Sequence, residues 1–231
     1  MPEELARLYD EIIKRIKSSY DPEAVKGMER YGISTKNAYG VPIPALRGIA
    51  KEVGKNHLLA QQLWESEIHE ARILATMVED PKTVTEEQLE SWISSVNSWD
   101  LCDACCGNLF DRTMFGYRKA VEWSARKEEY VKRAGFVLMA ELAVHDKKVN
   151  DEKFLEFLPI IKRESVDERN FVKKAVNWAL RQIGKKSLNL NRACIDTAEE
   201  IKEINTKNAK WIASDAIREL TSESVQLKLR E

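Results

Sequence analysis

Trp99 and Asp103 stand four residues apart in the stretch from Asn97 to Asp111. If that stretch is helical, the two side chains share one face, a turn from each other. An indole π-face beside a carboxylate makes a small electron-rich surface, which suits a cation and repels an anion. Trp178 follows 79 residues after Trp99, close to two repeat lengths of a helical-repeat protein, and that spacing predicts three side chains facing one groove. Asp100 is a rival carboxylate. It would point about 100° away from Trp99 round the helix, which favours Asp103.

The other reactive residue types point elsewhere. The cysteines are Cys102, Cys105, Cys106 and Cys194. A structural zinc site needs four ligands with a matching second pair, and the chain has none. His57, His69 and His145 are not paired at helical spacing. Reduced cysteines packed as small apolar residues are expected, and no metal is assigned. A Gly-rich phosphate loop, a Gly-x-Ser-x-Gly elbow and a His-Glu-x-x-His pair are all missing, so no nucleotide or other cofactor is expected.

The elements that must position these groups read as helices throughout. Nine glycines and six prolines in 231 residues are too few for a turn-rich β protein, and no segment alternates like a strand. Apolar spacing and breakers predict helices over 5–16, 22–31 and 44–53, with Asp21 capping and Pro22 opening the second and Gly54 ending the third. Further helices follow over 58–64, 66–78, 85–93, 98–110, 115–124, 130–145, 151–162, 166–183, 190–204 and 208–220. From Tyr130 onward helices recur about every 20 residues, so a helix pair occupies about 40, the period of HEAT-type repeats. The fold class expected is therefore all-α, an α-solenoid of HEAT-like helical repeats spanning 1–231 as a single domain, with a concave basic groove. A compact non-repeat bundle is the alternative.

Charge supports such a groove. The net charge is only −1, but its distribution is uneven. Residues 1–117 carry 13 Lys/Arg against 19 Asp/Glu, residues 118–192 carry 18 against 11, and residues 193–231 carry 6 against 8. A basic middle between acidic ends is an arrangement that can grip a polyanion, although ordinary solvated helix faces would look the same. The start, Met1-Pro2-Glu3-Glu4-Leu5, has no basic or apolar leader region, and the longest apolar-looking run, Ala134 to Val144, contains Glu141. A cytoplasmic protein with no membrane segment is expected.

Several stretches, taken together in order and spacing, resemble the DNA alkylation repair glycosylases of the AlkD type. They are Gly40-Val41-Pro42-Ile43-Pro44-Ala45-Leu46-Arg47, Leu63-Trp64-x-x-Glu67-x-x-Glu70-Ala71-Arg72, Ser98-Trp99-Asp100-Leu101-Cys102-Asp103, Lys132-Arg133-Ala134, and the run from Phe171 to Arg181. The resemblance covers most of the chain. It implies a HEAT-like solenoid that cleaves the N-glycosidic bond of positively charged N3- and N7-alkylpurines in duplex DNA, acting as a monomer and without flipping the base into a pocket. It further implies Asp103 as catalytic carboxylate, Trp99 and Trp178 against the deoxyribose and backbone of the lesion, and Arg133 on a nearby phosphate. Lys132, Arg47, Lys174 and Arg181 are further candidates for phosphate contacts. Ser98 stands where the family has an additional aromatic.

The residue chemistry is compatible with that reaction. A cationic alkylpurine is already a good leaving group and needs no general acid. What must be stabilised is the oxocarbenium-like sugar that grows as the bond breaks. A carboxylate does this and can orient water, and each indole adds on the order of 1–2 kcal/mol. Plainer readings compete. Trp64, Trp92, Trp123 and Trp211 are read as core, Arg133 could pair with Glu129 at i−4, and Asp103 could be a solvated carboxylate. At the level of the whole chain, the competitors are a non-catalytic HEAT-type module binding DNA shape and a protein–protein scaffold.

Overall fold

The computed structural model describes residues 3–230. Met1, Pro2 and Glu231, which belong to the expected domain span and, for the first two, to the stretch on which the expectation about a leader rests, lie outside the described residues. Among the described residues there are fifteen α-helices, one 3₁₀ turn and no strand: α1 Glu3–Ser18, α2 Pro22–Arg30, α3 Ile43–Val53, α4 His57–Glu65, α5 His69–Val78, α6 Glu86–Ser94, α7 Trp99–Asn108, α8 Gly116–Ser124, α9 Glu129–His145, α10 Asp151–Leu155, α11 Leu158–Glu164, α12 Asn170–Ile183, α13 Leu188–Lys202, α14 Lys207–Leu220 and α15 Glu223–Lys228, with the 3₁₀ turn at Phe110–Arg112. The all-helical expectation holds. No helix among these residues is long and apolar enough to cross a membrane.

Local signals account for most boundaries. Asp21 accepts from the N–H groups of Glu23 and Ala24, and Pro22 opens α2. Gly54, at φ +71°, ends α3. Thr85 caps α6 by accepting from Gln88 N–H, but the Gln88 side chain turns away to Glu79 instead of closing a capping box. The misplaced boundaries have physical causes. Helix α5 starts at His69 and not at Ser66, because Glu67 adopts φ +56° and Ile68 is extended. The expected helix 151–162 is broken into α10 and α11, with Pro159 in the first turn of α11. Helix α12 begins at Asn170, after a turn in which the Asp167 side chain accepts from Arg169 N–H.

The chain divides into two compact units, Met1–Thr113 and Met114–Glu231. Within each, several side-chain bonds tie successive repeats at a recurring offset. In the first unit Glu70 binds the N–H groups of Tyr39 and Gly40, 31 and 30 residues back. His69 meets Asp100 across 31, and Thr76 meets Asn108 across 32. In the second unit Arg133 and Phe171, Asn177 and Asp215, Arg181 and Glu219, and Lys162 and Glu200 are all 38 apart. The predicted 40-residue period therefore describes the second unit. The first repeats about every 30 residues.

The cores are aliphatic and aromatic. Trp64 and Trp92 are buried and stack in parallel, their centroids 4.1 Å apart, with the Arg72 guanidinium 5.2 Å over Trp64. Trp123 is fully buried, as expected. Trp211 is not: it is 41% exposed on α14, with Lys173 Nζ 4.8 Å from its ring centroid. The sequence pattern misled because α14 turns the indole outward, with the Lys173 ammonium of α12 over its ring.

Candidate functional site

Trp99 opens α7 and Asp103 follows one turn later, both partly exposed. The indole is held in place. Its Nε1–H donates to the carbonyl of Tyr31 at 2.9 Å, which fixes the orientation of the ring. Ser98 occupies the cap position, yet its buried hydroxyl makes no hydrogen bond to the helix N–H groups. Beneath them Cys102, Cys105 and Cys106 are buried free thiols. Burial pushes the Cys105 and Cys106 thiols well above their ordinary range, so they act as apolar packing. No cluster of three or more His, Cys, Asp or Glu side chains among the described residues could hold a metal.

Asp100 points elsewhere. Its Oδ2 lies 2.8 Å from His69 Nε2, and its Oδ1 is buried without a partner. Burial works to raise the Asp100 pKa, but the hydrogen bond and charge of His69 outweigh it and hold the carboxyl below its ordinary value. Asp100 is thus a tie between α5 and α7. The loop before α3, which carries Arg47 close behind it, is set by a second buried carboxylate. Glu70 accepts from Tyr39 N–H at 2.8 Å and Gly40 N–H at 2.6 Å. Gly40 has φ +75°, and a Cβ there would lie 2.7 Å from the Asp21 carbonyl oxygen. Two conspicuous sequence motifs are therefore structural. Arg47 itself is exposed and makes no ion pair among the described residues.

In the second unit, Lys174, Trp178 and Arg181 form one stripe along α12, at i, i+4 and i+7. Trp178 is partly exposed in the third turn of α12, and its indole N–H makes no hydrogen bond among the described residues. Lys174 is exposed and makes no ion pair among the described residues. Arg181 reaches across to Glu219 and Asp215 of α14. On α9, Lys132 lies 2.6 Å from Glu164 and 3.5 Å from Asp167. Burial alone would raise the Glu164 pKa, and hydrogen bonds from Lys132 and Arg163 hold it down. Arg133 is 5% exposed, and its Nη1 donates to the Phe171 carbonyl at 2.6 Å. Of the five candidate phosphate contacts, Arg47 and Lys174 stand open, whereas Lys132, Arg133 and Arg181 hold helices together.

A family model described as DNA alkylation repair enzyme matches residues 12–220. The chain belongs to that family. It is similar to an uncharacterised protein of Listeria innocua, at 21% identity over 206 residues, covering 87% of this chain and 90% of that protein. It also superposes on a solved structure with a TM-score of 0.76 at 20% identity, over 91% of this chain and 94% of the other. That structure is described as a new family of proteins related to the HEAT-like repeat DNA glycosylases, with affinity for branched DNA structures. At this identity the likeness shows the fold, a HEAT-like helical repeat.

Two groups escaped the sequence reading. A cavity of about 250 Å³ in the first unit is lined by Lys36, Glu67, His69 and Arg72 among others. A larger one in the second unit, about 540 Å³, is lined by Lys147, Lys185, Lys186 and Lys228. The doublets Lys147-Lys148 and Lys185-Lys186 were visible signals within the basic block, whereas Lys228 carried none.

Proposed function

We propose that this member of the DNA alkylation repair family hydrolyses the N-glycosidic bond of cationic N3- and N7-alkylpurines in duplex DNA, without flipping the base. The observation that carries the reading is the pairing, one turn apart on α7, of an indole whose orientation is fixed by the Tyr31 carbonyl and the partly exposed carboxylate of Asp103. Asp103 stabilises the oxocarbenium-like sugar and orients the attacking water, and the Trp99 face adds cation–π stabilisation. Trp178 contacts the backbone of the same DNA, and Arg47 and Lys174 supply phosphate contacts. Arg133, which donates to the Phe171 carbonyl, holds a nearby phosphate.

A glycosidic bond to a neutral base lacks the built-in leaving-group charge, so undamaged DNA should be a poor substrate. The test is incubation with methylated DNA and chromatography of the released bases. Asp103→Asn should abolish release of 7-methylguanine while leaving DNA binding intact, and release at the wild-type rate would remove Asp103 from the mechanism.

A second reading is favoured by the description of the solved relative, whose family has affinity for branched DNA. In this reading the chain binds DNA shape and performs no chemistry. Tighter binding to a four-way junction than to an alkylated duplex, with no base released from the latter, would select it.

A further inference from the structure

The 540 Å³ cavity lies where α9 and α12 end, and α15 contributes Lys228 to its wall. Four ammonium groups line it against one carboxylate, Asp151. That carboxylate is occupied, accepting from Ser187 Oγ at 2.6 Å and Asn189 Nδ2 at 3.2 Å. Lys185 Nζ donates to Glu219 at 2.6 Å. Lys186 Nζ donates to the Asp146 carbonyl just past the end of α9, and so fills the usual role of a cation at a helix C-terminus. Lys147 and Lys228 have no such explanation. Among the described residues neither makes an ion pair or reaches a carbonyl, so within them two uncompensated charges share one cavity with two compensated ones. Burial, and after it the charge of Lys147, pushes the Lys186 ammonium below its ordinary value, which reflects this crowding.

The cavity is continuous in sequence with the stripe on α12. Lys174, Trp178 and Arg181 recur at i, i+4 and i+7 on one face of the helix, and Lys185 follows in the turn just past its end. The end of α12 at Ile183 lies about 7–8 Å along the axis from Trp178, at 1.5 Å per residue, and Lys185 comes two residues later. The cavity therefore begins roughly two to three base steps of a DNA strand from Trp178, at about 3.4 Å per step.

We propose that this lysine cavity holds backbone phosphates of DNA, with Lys147 and Lys228 as direct contacts, roughly two to three nucleotides along the strand from the Trp178 contact. The assignment rests on the DNA-binding part of the proposed function and not on base release. The lysines crowd because a polyanion, when bound, removes their mutual repulsion, and the released counterions make the contact dependent on salt.

The test is fluorescence anisotropy of an undamaged duplex bound to the full chain, from low to high salt. The variants are Lys147→Ala/Lys228→Ala and, as control, Lys148→Ala/Lys207→Ala, which removes two lysines that do not line the cavity. Two lost phosphate contacts should lower the slope of log affinity against log salt by about 1.8 for the cavity variant, at about 0.9 per contact. The control should keep the wild-type slope. Equal slopes for all three proteins, with circular dichroism unchanged, would overturn the proposal. Saturable binding of tripolyphosphate that depends on Lys147 and Lys228, combined with an unchanged DNA slope, would overturn it in favour of a free polyphosphate ligand. Because the duplex is undamaged, a failed glycosylase assay leaves this result standing, and a wild-type slope in the cavity variant leaves Asp103 untouched.

Discussion

The imidazole of His69 and the carboxylate of Asp100 meet at 2.8 Å, Nε2 to Oδ2, across the junction of α5 and α7. A carboxylate can only accept, so Nε2 carries the proton. The contact sets the first turn of α7 against α5, and that turn carries Trp99. A pair that could be mistaken for catalytic machinery thus does the positioning, and Asp103 lies one turn further along α7 from Trp99.

The pair makes stability depend on pH in a definite direction. The folded-state pKa of Asp100 is depressed, so its contribution is fully present above the unfolded value, near pH 4, and is lost as pH falls through the lower folded value. Asp100→Asn should therefore reduce stability at pH 7 by about 1–3 kcal/mol. The gap from wild type should narrow as the pH drops below about 4. Urea unfolding at several pH values measures both, and a gap constant down to pH 3 would show that the ionised carboxylate is not the stabilising form.

Glu70 separates charge from hydrogen bonding. Oε1 accepts two N–H groups, and Oε2 is buried with no partner. Glu70→Ala would strand both N–H groups of the Tyr39–Gly40 loop, and a loss of about 2–4 kcal/mol is expected at 1–3 kcal/mol per orphaned group after relaxation. Glu70→Gln keeps an acceptor for them and removes a buried charge, so it should stay within about 1 kcal/mol of wild type. Thermal unfolding of the two variants gives the comparison, and equal losses would mean that the charge, not the acceptor, is what the loop needs.

The sequence made the helices legible wherever local chemistry decides them. Asp21-Pro22, Gly54 and Thr85 all mark real boundaries, because caps and breakers act over three or four residues. It also placed Trp99 and Asp103 on one helix face, since that follows from spacing alone. What it could not show is commitment. Nothing in the types of Lys132, Arg133 and Arg181 says that their partners are Glu164, the Phe171 carbonyl and Glu219, because those partners lie 32 to 38 residues away. Trp211 failed for a related reason: amphipathic spacing sets a face but not what covers it. The lysine cavity needed three separate segments to converge, and no local pattern encodes that.

Gly135 tests how closely α8 and α9 approach. A Cβ there would lie 2.5 Å from Ser124 N and 2.9 Å from Ser124 Cα, both backbone atoms. Alanine normally stabilises a helix interior by about 1 kcal/mol relative to glycine. Here overpacking should win, and Gly135→Ala should be destabilising by about 1–3 kcal/mol. A urea midpoint at or above the wild-type value would show that the two helices can part at little cost.

Trp99 distinguishes the two jobs of an indole at the reacting sugar. Trp99→Ala removes the π-face, and a cation–π term of roughly 1–2 kcal/mol corresponds to a fall of about 5- to 30-fold in kcat/KM for 7-methylguanine release. Trp99→Phe keeps an aromatic face but loses the N–H bond to the Tyr31 carbonyl that orients it. It should therefore fall between wild type and alanine, with most of its loss removed if the ring is still held in plane by packing. Single-turnover release on methylated duplex, with enzyme in excess, reads the chemical step without product release. If Ala and Phe lose activity equally, the hydrogen-bonded placement of the ring matters more than its electrons. If neither loses any, the cation is stabilised by Asp103 alone.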